Sequence, residues 1–205
     1  MITDIYTDGS LGKGTIGGLG YLLIHREPEF FITAGFEDKK VTRVFRDSLY
    51  LELLAIQQAI KAAIDSGDDL YGADVWTDSR DAVGMVTDNL YRVPLQTHYG
   101  PVLQFIRREL AASRLTLRHM KGHNKDPYND AADRLAVLAR RNKEFGLPRN
   151  HGHTMRQAIV DELMAAYKLH SHDGHPDNIR LHRAAGEDLC PECRQGLRAL
   201  MAEAS

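Results

Sequence analysis

Four carboxylates stand where divalent-metal chemistry could be built. Asp8 ends a short apolar-rich run, Ile2–Thr7, and Asp78 directly follows Val75-Trp76-Thr77. Glu52 lies between Leu51 and Leu53, with Leu49 and Ile56 at i−3 and i+4, on the border of a buried helix face. Asp133 sits amid Ala131, Ala132, Leu135 and Ala136. Carboxylates gathered in a partly dry site repel one another and raise each other's pKa. They stay ionised where divalent cations neutralise them. Mg²⁺ takes oxygen ligands and usually only one or two carboxylates together with water and substrate phosphate. Four carboxylates therefore suit two ions ~4 Å apart, an arrangement that clamps the attacking and leaving oxygens of phosphoryl transfer. Singly, Asp8-Gly9 is also a turn, Asp78-Ser79 a helix cap and Asp133 an exposed helix residue. Their joint placement points to chemistry. Asp130, three residues before Asp133, is a rival for the last position.

These residues need elements to position them. Ile2–Thr7, the run through Tyr21–Ile24 and Phe30–Thr33 predict three strands joined by short turns, an antiparallel meander. Leu49, Leu53, Ile56, Ile60 and Ile64 then recur at helical spacing, predicting a helix over about 48–65. Asp74–Asp78 reads as a buried strand, Ser79–Leu90 and Pro101–Ala112 as helices, and Leu115–Gly122 as a strand. Asp126-Pro127 supplies an N-cap and a first-turn proline for a helix through about Lys143. The order β-β-β-α-β-α-α-β-α predicts an α/β layered domain with a mixed sheet. Parallel strands bring their carboxyl ends to one edge, where ligands usually bind.

The motifs resemble the type 1 ribonuclease H family. They are Ile5-Tyr6-Thr7-Asp8-Gly9-Ser10, Leu51-Glu52-Leu53-Leu54-Ala55, Trp76-Thr77-Asp78-Ser79, Lys121-Gly122-His123, Asp126-Pro127-Tyr128-Asn129 and Ala132-Asp133-Arg134-Leu135-Ala136, in order over about residues 2–143. The resemblance implies a five-stranded mixed sheet flanked by helices. It also implies hydrolysis of the RNA strand of RNA/DNA hybrids, leaving 3′-hydroxyl and 5′-phosphate ends. By that carry-over Asp8, Glu52, Asp78 and Asp133 hold two Mg²⁺, for which Mn²⁺ can substitute, and the family spacing selects Asp133 over Asp130. His123 matches a loop histidine that assists proton transfer or product release, a role suited to a side chain that titrates near neutral pH.

The chain departs from the family pattern at the substrate-reading positions. Before the helix glutamate stands Asp47-Ser48-Leu49-Tyr50, and Leu49 takes a place usually held by Asn. A leucine cannot hydrogen-bond a base edge or a 2′-hydroxyl, so substrate preference is the open question. The glycine loop carrying Lys13 is one residue shorter than in familiar members. A substitute grip is offered by residues 107–125, where Arg107, Arg108, Arg114, Arg118, Lys121 and Lys125 face the single acid Glu109. Lys13, Ser48, Arg118 and Lys121 are the candidate nucleic-acid contacts.

The 205 residues carry 26 Lys plus Arg against 28 Asp plus Glu, a net charge of −2 that excludes a generally basic, histone-like binder. Two Cys cannot staple a chain this long, and no apolar run reaches membrane-spanning length. Met1-Ile2-Thr3-Asp4 lacks the layout of a secretion signal, so a cytoplasmic protein is expected. Six of the ten His and both Cys fall in residues 151–205, after a break at Gly146-Leu147-Pro148-Arg149-Asn150. The expected layout is a catalytic domain over 1–147 and an accessory segment over 148–205, with a helix at Met155–Leu169. In the tail, Cys190-Pro191-Glu192-Cys193 with His182 and His175 or His172 predicts a structural Zn²⁺ knuckle. A disordered tail is the alternative. The knuckle would serve nucleic-acid binding, a protein partner or self-association. Two rivals to the hybrid-cleaving reading are a nuclease of the same fold acting on another nucleic acid and a non-catalytic nucleic-acid-binding protein.

Overall fold

The computed structural model describes residues 1–12, 14–26, 29–41, 47–88, 97–121 and 126–170, the last five by backbone alone. Its compact first unit runs from Met1 to Arg156; Gln157–Ser205 form a second. The strands are β1 (Ile2–Leu11), β2 (Ile16–His25), β3 (Phe31–Lys40), β4 (Asp74–Thr77) and β5 (Thr116–His119). The helices are α1 (Ser48–Asp65), α2 (Arg80–Thr87), α3 (Tyr99–Ala112), α4 (Pro127–Glu144) and α5 (Arg149–His170). They form one five-stranded mixed sheet in the order β3-β2-β1-β4-β5. The β1–β2 and β2–β3 pairs are antiparallel, and β1–β4 and β4–β5 are parallel.

Alternation along the strands sorts residues between two helical layers. Ile5, Leu19 and Leu23 join Leu51, Ile56 and Ile60 of α1 in the main core. Tyr6 faces the other way, its ring 5.1 Å from that of Tyr128 on α4. Asp47 caps α1, accepting from Leu49 N at 2.9 Å, and Asp126 caps α4, accepting from Tyr128 N and Asn129 N. The predicted α4 start at Asp126-Pro127 is thus the observed one. Among the described residues no helix is long and apolar enough to cross a membrane.

Several boundaries differ from expectation. Strand β1 continues through Asp8-Gly9-Ser10 to Leu11, so Asp8 sits inside a strand rather than at its end. Strand β3 runs through Gly35 to Lys40 instead of stopping near that glycine. In both cases cross-strand pairing outweighs local turn preference: Asp8 pairs with Gly20 and Gly35 with Tyr21. Helix α5 starts at Arg149, within the segment read as a break.

Candidate active site

Register brings the first two carboxylates together. Tyr6 pairs with Trp76 across the parallel β1–β4 ladder, so Asp8 and Asp78, each two residues further on, emerge side by side at one sheet edge. Thr7 Oγ1 donates to Trp76 O at 3.2 Å and ties the two strands at that level. Glu52 arrives from the second turn of α1, 8% exposed. Oxygens of Asp8, Glu52 and Asp78 lie within 4.8 Å of one another. Asp133 on α4 shares a hydrogen bond with Asp8. All four line one cleft with Gly9, Ser10, Leu11, Asn129 and Asp130.

The electrostatics of the cleft are those of crowded acids. Burial pushes the Asp8 carboxyl up to about 7, reinforced by its hydrogen bond with Asp133 and by the charges of Asp133 and Asp78. Burial, then the charges of Asp8 and Asp78, also hold Glu52 well above the usual carboxylate range. Glu52 Oε2 is buried and has no hydrogen-bond partner among the described residues. A buried acceptor in that state is costly unless something positive meets it. The donor set is all oxygen, which suits hard divalent cations such as Mg²⁺ or Mn²⁺. The residues present therefore fit a metal held by Asp8, Glu52 and Asp78, with Asp133 against Asp8.

The other candidate residues are placed more variously. Ser48 is exposed at the first position of α1. Arg118 pairs with Asp74 at 2.8 Å and lies over the Trp76 ring. Lys121 is exposed just beyond β5. Lys13, His123, His175, His182, Cys190 and Cys193 lie outside the described residues. Elsewhere in the basic run, Arg107 donates to Val86 O and Met85 O, Arg108 pairs with Glu109, and Arg114 lies over Tyr71. The rival Asp130 lines the same cleft as Asp133, and Asp133 shares a hydrogen bond with Asp8.

Asn129 carries no role in the sequence reading, yet it lines the cleft. It is 5% exposed, and its Oδ1 has no partner among the described residues. The signal was there: Asn129 stands four residues, one helical turn, before Asp133.

The family model described as RNase H matches residues 2–141. No curated protein matches the chain. Among solved structures, LC11-RNase H1 from compost, in complex with an RNA/DNA hybrid, is 19% identical over 68% of this chain and 97% of its own, at a TM-score of 0.55. The N-terminal RNase H domain of rv2228c from Mycobacterium tuberculosis is 16% identical over 71% of this chain and 99% of that one, at 0.51. The protease-reverse transcriptase of prototype foamy virus is 21% identical over 66% of this chain, at 0.52; only 20% of that longer protein is covered. At these identities the likeness is one of fold.

Proposed function

The chain belongs to the ribonuclease H family, and from that premise we propose that it hydrolyses the RNA strand of RNA/DNA hybrids. The observation that carries the proposal is the convergence of Asp8, Glu52 and Asp78 oxygens within 4.8 Å, with a Glu52 oxygen buried and unpartnered. Asp8, Glu52, Asp78 and Asp133 would hold two Mg²⁺, with Mn²⁺ as a substitute. When bound, Mg²⁺ supplies Lewis-acid stabilisation of the charge that builds on phosphoryl oxygens. The carboxylates also exclude a free anion from the cleft, so a phosphate enters only with countercharge.

Hydrolysis breaks the bond from phosphorus to the 3′-oxygen and adds water's oxygen to phosphorus, leaving 3′-hydroxyl and 5′-phosphate ends. The 3′-oxygen takes up a proton as it leaves. His123, by its family position, is assigned to proton transfer or product release. Lys13, Ser48, Arg118 and Lys121 are assigned to the nucleic acid. LC11-RNase H1 is described in complex with an RNA/DNA hybrid, which supports the same substrate class here.

A second reading has its own observation. Leu49 is part-buried and packs against the main core, so the first turn of α1 presents no amide there to read a hybrid's minor groove. A same-fold nuclease with a different nucleic-acid substrate follows from that. A panel of RNA/DNA hybrid, single-stranded RNA, double-stranded RNA and double-stranded DNA separates the two. Cleavage of the hybrid alone supports the first; equal cleavage of hybrid and single-stranded RNA favours the second.

The domain division at 147/148, a cytoplasmic setting, and a tail Zn²⁺ on His175, His182, Cys190 and Cys193 belong to the same proposal. So does a partner-binding or self-associating role for that tail.

A further inference from the structure

Ser10 lies two residues past Asp8 on β1 and lines the rim of the acidic cleft. Strand alternation turns both residues toward α4, since Asp8 pairs with Gly20 and Ser10 with Gly18, the two glycines against which α4 packs. There Arg140 Nε donates to Ser10 Oγ at 3.2 Å. Arg140 is itself held by Glu144, one turn further along α4, through Nη1 to Oε2 at 2.7 Å. With the two side chains only 18% and 21% exposed, this is a fixed strut rather than a solvated surface pair.

A hydroxyl has one proton and two lone pairs, and a guanidinium can only donate. The bond from Arg140 therefore occupies a lone pair and leaves the Ser10 proton to be given elsewhere. No acceptor for that proton is found among the described residues. The carboxylates around it can bind cations and accept hydrogen bonds, but ionised they have no proton to offer an oxygen of the substrate. Ser10 can.

We propose that Arg140 is a positioning residue that aims the Ser10 hydroxyl, as a hydrogen-bond donor, at a sugar–phosphate oxygen of the nucleic-acid strand in the cleft. This rests on the hydrolase reading above. The acceptor is either a phosphate oxygen or a ribose 2′-oxygen, which share the chemistry of a hydrogen-bond acceptor.

The test is a double-mutant cycle on hybrid cleavage in Mg²⁺, reading KM and kcat for Ser10→Ala, Arg140→Gln and the double variant. Each single change is expected to raise KM about fivefold with kcat within twofold, the worth of one neutral hydrogen bond of ~1 kcal/mol. The double variant should be no worse than either single one, because both act through one hydroxyl. Ser10→Thr, which keeps the hydroxyl, should retain the wild-type KM. Independent effects that multiply in the double variant, or an unchanged KM in both single variants, would overturn the proposal. Should Arg140→Gln melt early, Glu144→Gln loosens the same strut from outside the cleft and is expected to raise KM in the same direction. A KM unchanged by Glu144→Gln and by Ser10→Ala would also overturn it. Hybrids bearing a 2′-deoxynucleotide at the cleaved step, bound to Asp78→Asn protein, separate the two acceptors. A Ser10→Ala penalty that vanishes there assigns the 2′-oxygen, and one that persists assigns the phosphate. If wild-type protein leaves the hybrid uncut, the hydrolase reading fails first, and this proposal falls with it.

Discussion

Gly9 lies against the backbone of Glu52: a Cβ at Gly9 would come within 2.7 Å of Glu52 N and 2.6 Å of Leu51 C. The strand that carries Asp8 and the helix that carries Glu52 thus meet backbone to backbone, with no side chain between them. Gly20, the cross-strand partner of Asp8, does the same on the opposite face, where a Cβ would run into Ala132 O and Ala136 N on either side of Asp133. Two glycines set the spacing of three carboxylates.

Gly9→Ala is accordingly expected to separate β1 from α1. Overpacking of this kind costs about 1–3 kcal/mol. Urea unfolding should register a loss in that range, and the Mg²⁺ concentration for half-maximal hybrid cleavage should rise. Unchanged stability together with unchanged Mg²⁺ dependence would mean the contact does not set the site.

The metal-free protein should lose Asp8-linked stability as pH rises. The folded carboxyl titrates at about 7 against an ordinary 3.8, so between these values the folded state holds a proton the unfolded chain has lost. That stabilisation is complete below the ordinary value and gone above about 7. His25, whose pKa burial lowers, contributes with the opposite slope, and the difference between wild type and Asp8→Asn cancels that contribution, leaving Asp8 together with the Glu52 carboxyl its charge raises. In chelator, Asp8→Asn should gain melting temperature over wild type more at pH 8 than at pH 5. Mg²⁺ should raise the melting temperature of wild type and do so less in the variant.

Asp47 caps α1 through Leu49 N with one carboxylate oxygen and accepts from the Tyr99 hydroxyl with the other, joining α1 to α3. Asp47→Ala should destabilise the protein by about 1–2 kcal/mol. Asp47→Asn, which keeps an accepting oxygen, should recover most of it. Denaturant midpoints give the answer directly.

Asn129→Leu separates folding from function. Replacing a buried amide whose oxygen has no partner among the described residues with an apolar group of similar size is near neutral for stability. Because Asn129 lines the same cleft as the four carboxylates, cleavage should nonetheless fall about tenfold. A variant that melts normally and cleaves normally would place Asn129 outside the reaction.

Much of this arrangement was legible in the residues, and the illegible parts share a cause. The apposition of Asp8 and Asp78 follows from two strands that each carry a carboxylate at the same edge, and the burial of Glu52 follows from its leucine neighbours. Asp8-Gly9-Ser10 reads locally as a turn, and only pairing with β2 holds it extended. The glycine-dense stretch before Tyr21 likewise reads as a loop. In the fold it is strand β2, bare of side chains where helices press on it. The Arg140–Ser10 bond spans 130 residues of chain, beyond the reach of any periodicity. Most of the basic run reads as a phosphate grip from charge alone, whereas Arg107, Arg108, Arg114 and Arg118 each have an intramolecular partner. The pairing of a charge is invisible without its neighbours.

The tail proposal is tested by metal analysis. Freshly purified, reduced protein should carry about one Zn²⁺ per chain, lost in Cys190→Ser, as a structural site with thiolate ligands requires. Zinc-free protein would remove the claim.

The proposed function stands or falls with a cation-dependent hydrolytic site for RNA/DNA hybrids built from the four carboxylates. The most direct measurement is cleavage of an end-labelled hybrid by wild-type and Asp78→Asn protein, in Mg²⁺ and in chelator. Wild type is expected to cleave the RNA strand in Mg²⁺ only, with Asp78→Asn folded but inactive. Cleavage that survives in chelator or in the variant would contradict it, as would an intact hybrid in both Mg²⁺ and Mn²⁺.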